Sequence, residues 1–247
     1  MTTVETEFPH FVQQNPIRQT YLWIFISGYT LFFFLSNWFD PRLISLFGLN
    51  TGAGSLIFPF TYLISDIITE VYGYKNARLA VWTALLFFLI FIFYDQCVAA
   101  LLVTNQISYV SLNTFLQVNN RILVAAIFSY LITESVNSYI VAKLKIKLRG
   151  RYMGIRFIGS TLTAYTLNEL IYAPLAFYSL IPSFLNFVNH MLTSWGFMVT
   201  LELLLLPFSI RLAKRLKIIE NLDIYDTQTN FNPFNLNTDY QNKNNKS

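Results

Sequence analysis

The sequence is poor in charge, cysteine and histidine, and each shortage excludes something. Of its 247 residues only 12% are charged, against roughly 25% in an ordinary soluble domain. So few charges cannot clothe a soluble surface at this length, while 54% of the residues are hydrophobic and the mean hydropathy is +0.45. A single cysteine, Cys97, excludes a disulfide framework. Two histidines, His10 and His190, stand far apart, so neither a metal nor another cofactor is expected. The chain contains no G-x-x-x-x-G-K-[ST] loop, no H-E-x-x-H, no G-x-S-x-G and no evident selectivity-filter loop. It therefore reads neither as an NTPase, a zinc enzyme or a hydrolase, nor as a channel of the filter type. Residues 1–19 also lack the basic start, apolar run and small-residue cleavage site of a signal peptide.

What is present is a series of apolar windows of about 20 residues without Lys or Arg, the length that spans a roughly 30 Å hydrocarbon layer as a helix. Six spans are expected, near 20–39, 54–72, 77–103, 121–142, 153–178 and 190–212. The first is flanked by Tyr21, Trp23 and Trp38 at headgroup depth and is stopped by Asp40-Pro41. The third is long enough to be tilted or broken near Asp95. The fold class is thus all-α, a polytopic membrane protein. Residues 1–19 form a cytoplasmic N-terminal segment and 20–218 the transmembrane domain. From 219 to 247 the apolar runs stop and Asn, Asp, Gln and Thr dominate, the composition of a disordered cytoplasmic tail.

Orientation follows from the basic residues. Of 17 Lys and Arg, only Arg42 and Arg121 fall on one side of the six spans, and the remainder, including the 143–156 cluster, fall on the other. Lys/Arg excess marks cytoplasmic loops, so both termini are expected in the cytoplasm. The same cluster faces anionic lipid, which explains it better than nucleic acid does.

Acids behave differently. Asp66, Glu70, Asp95, Glu134, Glu169 and Glu202 fall within or near apolar spans, where no Lys or Arg occupies a span centre. A carboxylate at the bilayer centre costs roughly 2.5–3.5 kcal/mol on insertion scales. With no base on a neighbouring helix expected to neutralise them, these acids hold protons, meet water, or await a donor-rich or cationic ligand. Asp95 fits an interfacial position better than a functional one, and Glu202, which shares a face with Trp195, fits a packing network equally well. Asp66 and Glu70 lie one turn apart on a face that also carries Tyr62 and Thr69, a spacing that suits proton sharing. Glu134, Asn137 and Ser138 form one i,i+3,i+4 set; Tyr165, Asn168, Glu169 and Tyr172 form another. Polar faces on four helices imply one shared cavity. The expected substrate-binding residues are Glu70, Glu134, Asn137, Asn168, Glu169, Tyr62 and Tyr165, with Asp66 and Glu70 coupling to protons.

Residues 58–78 read FPFTYLISDIITEVYGYKNAR. This resembles the signature of the bacterial queuosine precursor transporter family, a vitamin-uptake type of six-helix inner-membrane protein. The likeness continues through ESVNSYIVAKLK at 134–145 and RFIGSTL at 156–162 to Glu202 with Pro207. Carried over on matching positions are Asp66, Thr69, Glu70, Tyr72 and Gly73, then Glu134, Asn137 and Lys143, then Gly159, Ser160 and Thr161. One departure stands out. Where the family pattern is Gly-Gln-x-x-Asp-Ser, this chain has Ala164, Tyr165, Asn168 and Glu169, which moves the acid by about 100° around the helix.

The resemblance implies uptake of 7-cyano- or 7-aminomethyl-7-deazaguanine across the bacterial inner membrane. Its partners are then a deazapurine base and the lipid bilayer, not nucleic acid, with self-association left open. A guanine-type edge presents adjacent donors that a carboxylate can accept together, and its plane suits an aromatic face, with Tyr62, Tyr165, Tyr172 and Trp195 as candidates. Import without an ATPase of its own is the leading expectation. The alternatives are a substrate-binding subunit of an ATP-driven importer and a structural membrane protein, with a membrane enzyme last.

Overall fold

A computed structural model describes residues 19–100, 106–178, 180–181 and 183–240, with side chains described outside 99 and 106–118. The expected N-terminal segment, with His10 and Arg18, lies outside these residues except for Gln19, and so do Lys243 and Lys246. Among the described residues there are six α-helices: α1 (Leu22–Phe39), α2 (Pro59–Tyr72), α3 (Tyr74–Ala99), α4 (Gln106–Lys147), α5 (Met153–Phe177) and α6 (Phe184–Glu220). They follow the expected order of apolar windows, and α3 runs unbroken past Asp95.

Four helical stretches among the described residues are long and apolar enough to cross a membrane: Leu22–Phe39, Tyr74–Val98, Asn119–Lys147 and Phe184–Glu220. Their outward faces carry exposed large apolar side chains, among them Leu86, Phe87, Ile90 and Phe93 on α3 and Leu203, Leu204 and Phe208 on α6. Water would not tolerate such a continuous surface, whereas lipid does. The other two helices differ for a reason. At 14 residues α2 is about 21 Å long, short of the roughly 30 Å hydrocarbon layer. It is buried along almost its whole length and packs on α1, α3, α4 and α6. Length is not what separates α5 from the four. Arg156, Asn168 and Glu169 dilute its apolarity because they face inward. It packs along α4 more extensively than any other pair of elements.

Two elements were not foreseen. Between α1 and α2 a small antiparallel hairpin pairs β1 (Leu43–Leu46) with β2 (Leu49–Gly52). Phe47 and Gly48 both have positive φ, 53° and 78°, the pairing that a two-residue hairpin turn demands. The hairpin covers one end of the bundle, and Thr51 Oγ1 lies 2.9 Å from Ser194 Oγ of α6.

At the opposite end, residues 221–240 do not behave as their composition suggests. They lack apolar runs for a core of their own, but they fold across the ends of α2 and α3 and use that core instead. Leu222 and Ile224 are buried, and Asp226 accepts the Tyr74 N–H at 3.0 Å, capping α3. The Arg78 guanidinium donates to the carbonyls of Asn230, Asn232 and Asn237 at 3.1, 2.8 and 2.9 Å. Gly73 joins α2 to α3 at φ +85°, and a Cβ there would collide with the Tyr240 hydroxyl and Ile224. The glycine of the D-x-x-T-E-x-Y-G pattern thus serves both the turn and the close approach of the tail.

Candidate functional site

Polar side chains on five helices line one axis through the bundle, in three groups. The middle group is the most deeply buried. Tyr62 and Asp66 come from α2, Glu134 and Asn137 from α4, Tyr165 from α5 and Glu202 from α6. Asn137 Nδ2 donates to Asp66 Oδ1 at 2.7 Å, and Thr161 Oγ1 to Asp66 Oδ2 at 3.5 Å. Tyr165 donates to Glu202 Oε2 at 3.4 Å. Glu134 is 0% exposed and faces the hydroxyls of Ser65 and Tyr29. Yet neither of its oxygens has a hydrogen-bond partner among the described residues, and the same holds for Glu202 Oε1, Asn137 Oδ1 and the Tyr62 hydroxyl. The rings of Tyr62 and Tyr165 meet edge to face at 4.8 Å. Acceptors aimed at one another with few donors between them cost free energy unless something else supplies hydrogen.

Towards the hairpin end lies a cavity of about 40 Å³, lined by Asp40, Asn168, Glu169, Tyr172 and His190 together with aromatic rings. Tyr172 donates to Asp40 Oδ2 at 2.5 Å. Asp40 follows the last residue of α1. Burial pushes its carboxyl up to about 6, against the opposing pull of hydrogen bonds from Tyr172 and the Gly54 N–H. Phe58 and Met198 line this cavity and also touch the Tyr62–Tyr165 pair, so the two groups adjoin.

The third group, at the tail end, corrects the expectation that no base reaches these acids. Glu70 Oε1 lies 2.6 Å from Arg156 Nη2, 2.6 Å from Lys217 Nζ and 3.9 Å from Lys145 Nζ. Asp223 of the tail bridges Lys145 and Lys217 at 2.7 Å each. Glu70 is 0% exposed, and so is Arg156. A buried carboxylate held by a buried guanidinium and a lysine is a compensated charge. Glu70 and Asp66 are one turn apart as expected, but Glu70 points into a basic cluster and Asp66 into an acidic one.

Of the expected site residues, the structure brings Tyr62, Asp66, Glu134, Asn137 and Tyr165 into the middle group. Asn168 and Glu169 lie one turn away at the cavity, and Glu70 stands apart. Sequence reasoning missed Tyr29, Asp40, Arg156, Lys145 and Lys217. Trp195 flanks the middle group and donates to Thr166 Oγ1 at 3.3 Å.

An apolar-faced helical bundle with an acid-lined interior defines a multi-pass membrane protein built around a polar path. Residues 52–212 match the family described as "Putative vitamin uptake transporter", and the chain belongs to that family. It is also similar to a curated protein of Bacillus subtilis (strain 168) named "Probable queuosine precursor transporter", at 24% identity over 144 residues. That match covers 58% of this chain and 63% of the relative, less than two thirds of the relative's length. No solved structure matches. Tyr29, Asp40, Lys217 and Asp223 all lie outside the family-matched stretch.

Proposed function

We propose that the chain imports a 7-deazaguanine base of the queuosine-precursor type across the bacterial inner membrane, without an ATPase of its own. In this reading all six helices cross the bilayer, α2 together with the turn before it, and the basic tail end with both termini faces the cytoplasm. The Lys/Arg distribution supports that orientation. The observation that carries the reading is Glu134: fully buried, with no cationic partner and only the Ser65 and Tyr29 hydroxyls near its oxygens, neither placed for a well-formed hydrogen bond, beside the Asp66–Asn137 pair and the Tyr62–Tyr165 rings.

A guanine-type edge offers N1–H and an exocyclic amine side by side, which is what a lone carboxylate lacks. The ring plane would lie against Tyr62 or Tyr165 and displace their edge-to-face contact. Asp66 exchanges a proton with Glu134 and Glu202 rather than with Glu70, because Arg156 and Lys217 already compensate Glu70. The relative's name supports the substrate class, and family membership supports transport.

Rescue tests this reading. A cell unable to make or import the precursor is given the chain and the base, and queuosine in its tRNA is measured. Restoration by the wild type and loss in Glu134→Gln at matched protein level are expected. Absence of queuosine with correctly inserted wild-type protein would overturn the substrate assignment.

A further inference from the structure

The cavity at the hairpin end differs chemically from the middle group. Its acids are Asp40 and Glu169, 9% and 7% exposed, which interact electrostatically across the site. The side chain of Glu169 makes no hydrogen bond to another described residue, and neither does that of Asn168, which is 4% exposed and lines the same cavity. The rest of the wall is part aromatic, with Phe33, Phe58, Tyr130 and Phe177, and part polar, with serine side chains, Asn37 and His190, and Tyr172 joins the two kinds of wall. Two carboxylates among ring faces are what an organic ammonium group requires, because it gains charge-assisted hydrogen bonds from the first and cation–π attraction from the second. Among the described residues, no group of three or more His, Cys, Asp and Glu side chains could hold a metal ion. At about 40 Å³ the cavity is far below the roughly 300 Å³ that holds a whole drug-sized ligand. It accepts a head group and not a bicyclic ring.

We propose that Asp40 and Glu169 form an ammonium subsite that reads a protonated primary amine on the transported solute. Phe58 and Met198 belong both to this cavity and to the Tyr62–Tyr165 group, so one ligand can reach both, with its ring in the middle group and its amine at Asp40 and Glu169. The placement of the ring rests on the proposed function; the subsite does not. Asp40 lies outside the family-matched stretch and Glu169 stands where the family pattern is shifted, so this selectivity belongs to this chain's own residues. Between the two precursor bases it favours the aminomethyl compound over the cyano compound.

The test uses the purified full-length chain in detergent, near pH 7.5, with two pairs of probes matched in shape and different in charge. Benzylammonium against benzyl alcohol addresses the subsite without the deazaguanine ring, and the aminomethyl against the cyano deazaguanine addresses it together with the proposed ring site. We expect each amine to bind about 10- to 100-fold more tightly than its neutral partner. That preference should fall severalfold or more in both Asp40→Asn and Glu169→Gln. Equal wild-type affinity within the benzyl pair would overturn the subsite without reference to any variant, and so would a preference that both substitutions leave intact. If the benzyl preference holds and depends on Asp40 and Glu169 while neither deazaguanine binds, the subsite stands and the proposed substrate falls.

Discussion

Glu70 and Glu134 are both fully buried glutamates on neighbouring helices of one polar axis, and their surroundings are opposite. Glu70 is held by Arg156 and Lys217 within 2.6 Å, and Asp223 from the tail completes the cluster around Lys145 and Lys217. Glu134 has hydroxyls and other acids for neighbours and no hydrogen-bond partner for either oxygen among the described residues. A buried charge whose partners are built in contributes to folding. One whose partners are missing is poised for something that comes and goes. In the proposed reading the tail end is structural and the middle group receives the solute, although the two glutamates look alike in the sequence.

The largest effect expected from breaking this contrast is on stability. Arg156→Met strands Glu70, and loss of one partner from a buried pair costs about 3–5 kcal/mol, less whatever Lys145 and Lys217 recover. Denaturant unfolding in detergent micelles reads this directly. Glu134→Gln should do the reverse: stability equal or slightly higher, and uptake at limiting substrate lower by about 30- to 150-fold, from a loss of roughly 2–3 kcal/mol in substrate contact. Comparable destabilisation by the two variants would erase the distinction between the groups.

A smaller effect concerns pH. Asp40 must be ionised to pair with an ammonium group, and burial pushes its carboxyl up to about 6. Ionisation of Asp40 should therefore strengthen amine binding between pH 5 and pH 7, alongside the contributions of Glu169 and His190 in the same wall, and Asp40→Asn should remove the Asp40 part of that profile. Fluorescence titration of the benzylammonium probe across this range reports it. The smallest effect is at Asp223, which is 23% exposed at its side chain. Asp223→Asn should cost about 1 kcal/mol, as partly solvated pairs do, and should hasten proteolytic removal of the tail.

Much of this axis was legible. The i,i+3,i+4 sets placed Asp66, Glu134, Asn137 and Tyr165 on inward faces, because a polar residue in a lipid-exposed helix has nowhere else to go. The same polarity is why α5 does not register as membrane-crossing, whereas α2 is excluded by its length of 14 residues. α4 and α6 carry Glu134, Asn137 and Glu202 and still register, because their long apolar runs outweigh these few polar residues. The compensation of Glu70 was hidden because Lys and Arg were judged by where their backbones lie. Lys145, Arg156 and Lys217 start near helix ends, and their long stems carry the charge to Glu70. Glu70 itself lies three residues before Gly73, at the end of α2, so counting depth from the helix terminus would have revealed the meeting. Asp40 was read as a stop signal next to Pro41, and only the return of α5 shows that Tyr172 and Glu169 face it. The tail misled through composition: its order comes from Arg78, Trp82 and Tyr74, about 150 residues earlier in sequence.

The central claim is that the unpartnered Glu134, not the compensated Glu70, receives the transported base. Purified wild-type, Glu134→Gln and Glu70→Gln chains are reconstituted into sealed proteoliposomes, and accumulation of labelled 7-aminomethyl-7-deazaguanine is followed over time. The account predicts saturable accumulation by the wild type and near-background accumulation by Glu134→Gln. Glu70→Gln, once corrected for the fraction that remains folded, should retain most of the wild-type rate per molecule. Wild-type accumulation at the level of empty vesicles, or loss confined to folded Glu70→Gln, would contradict it.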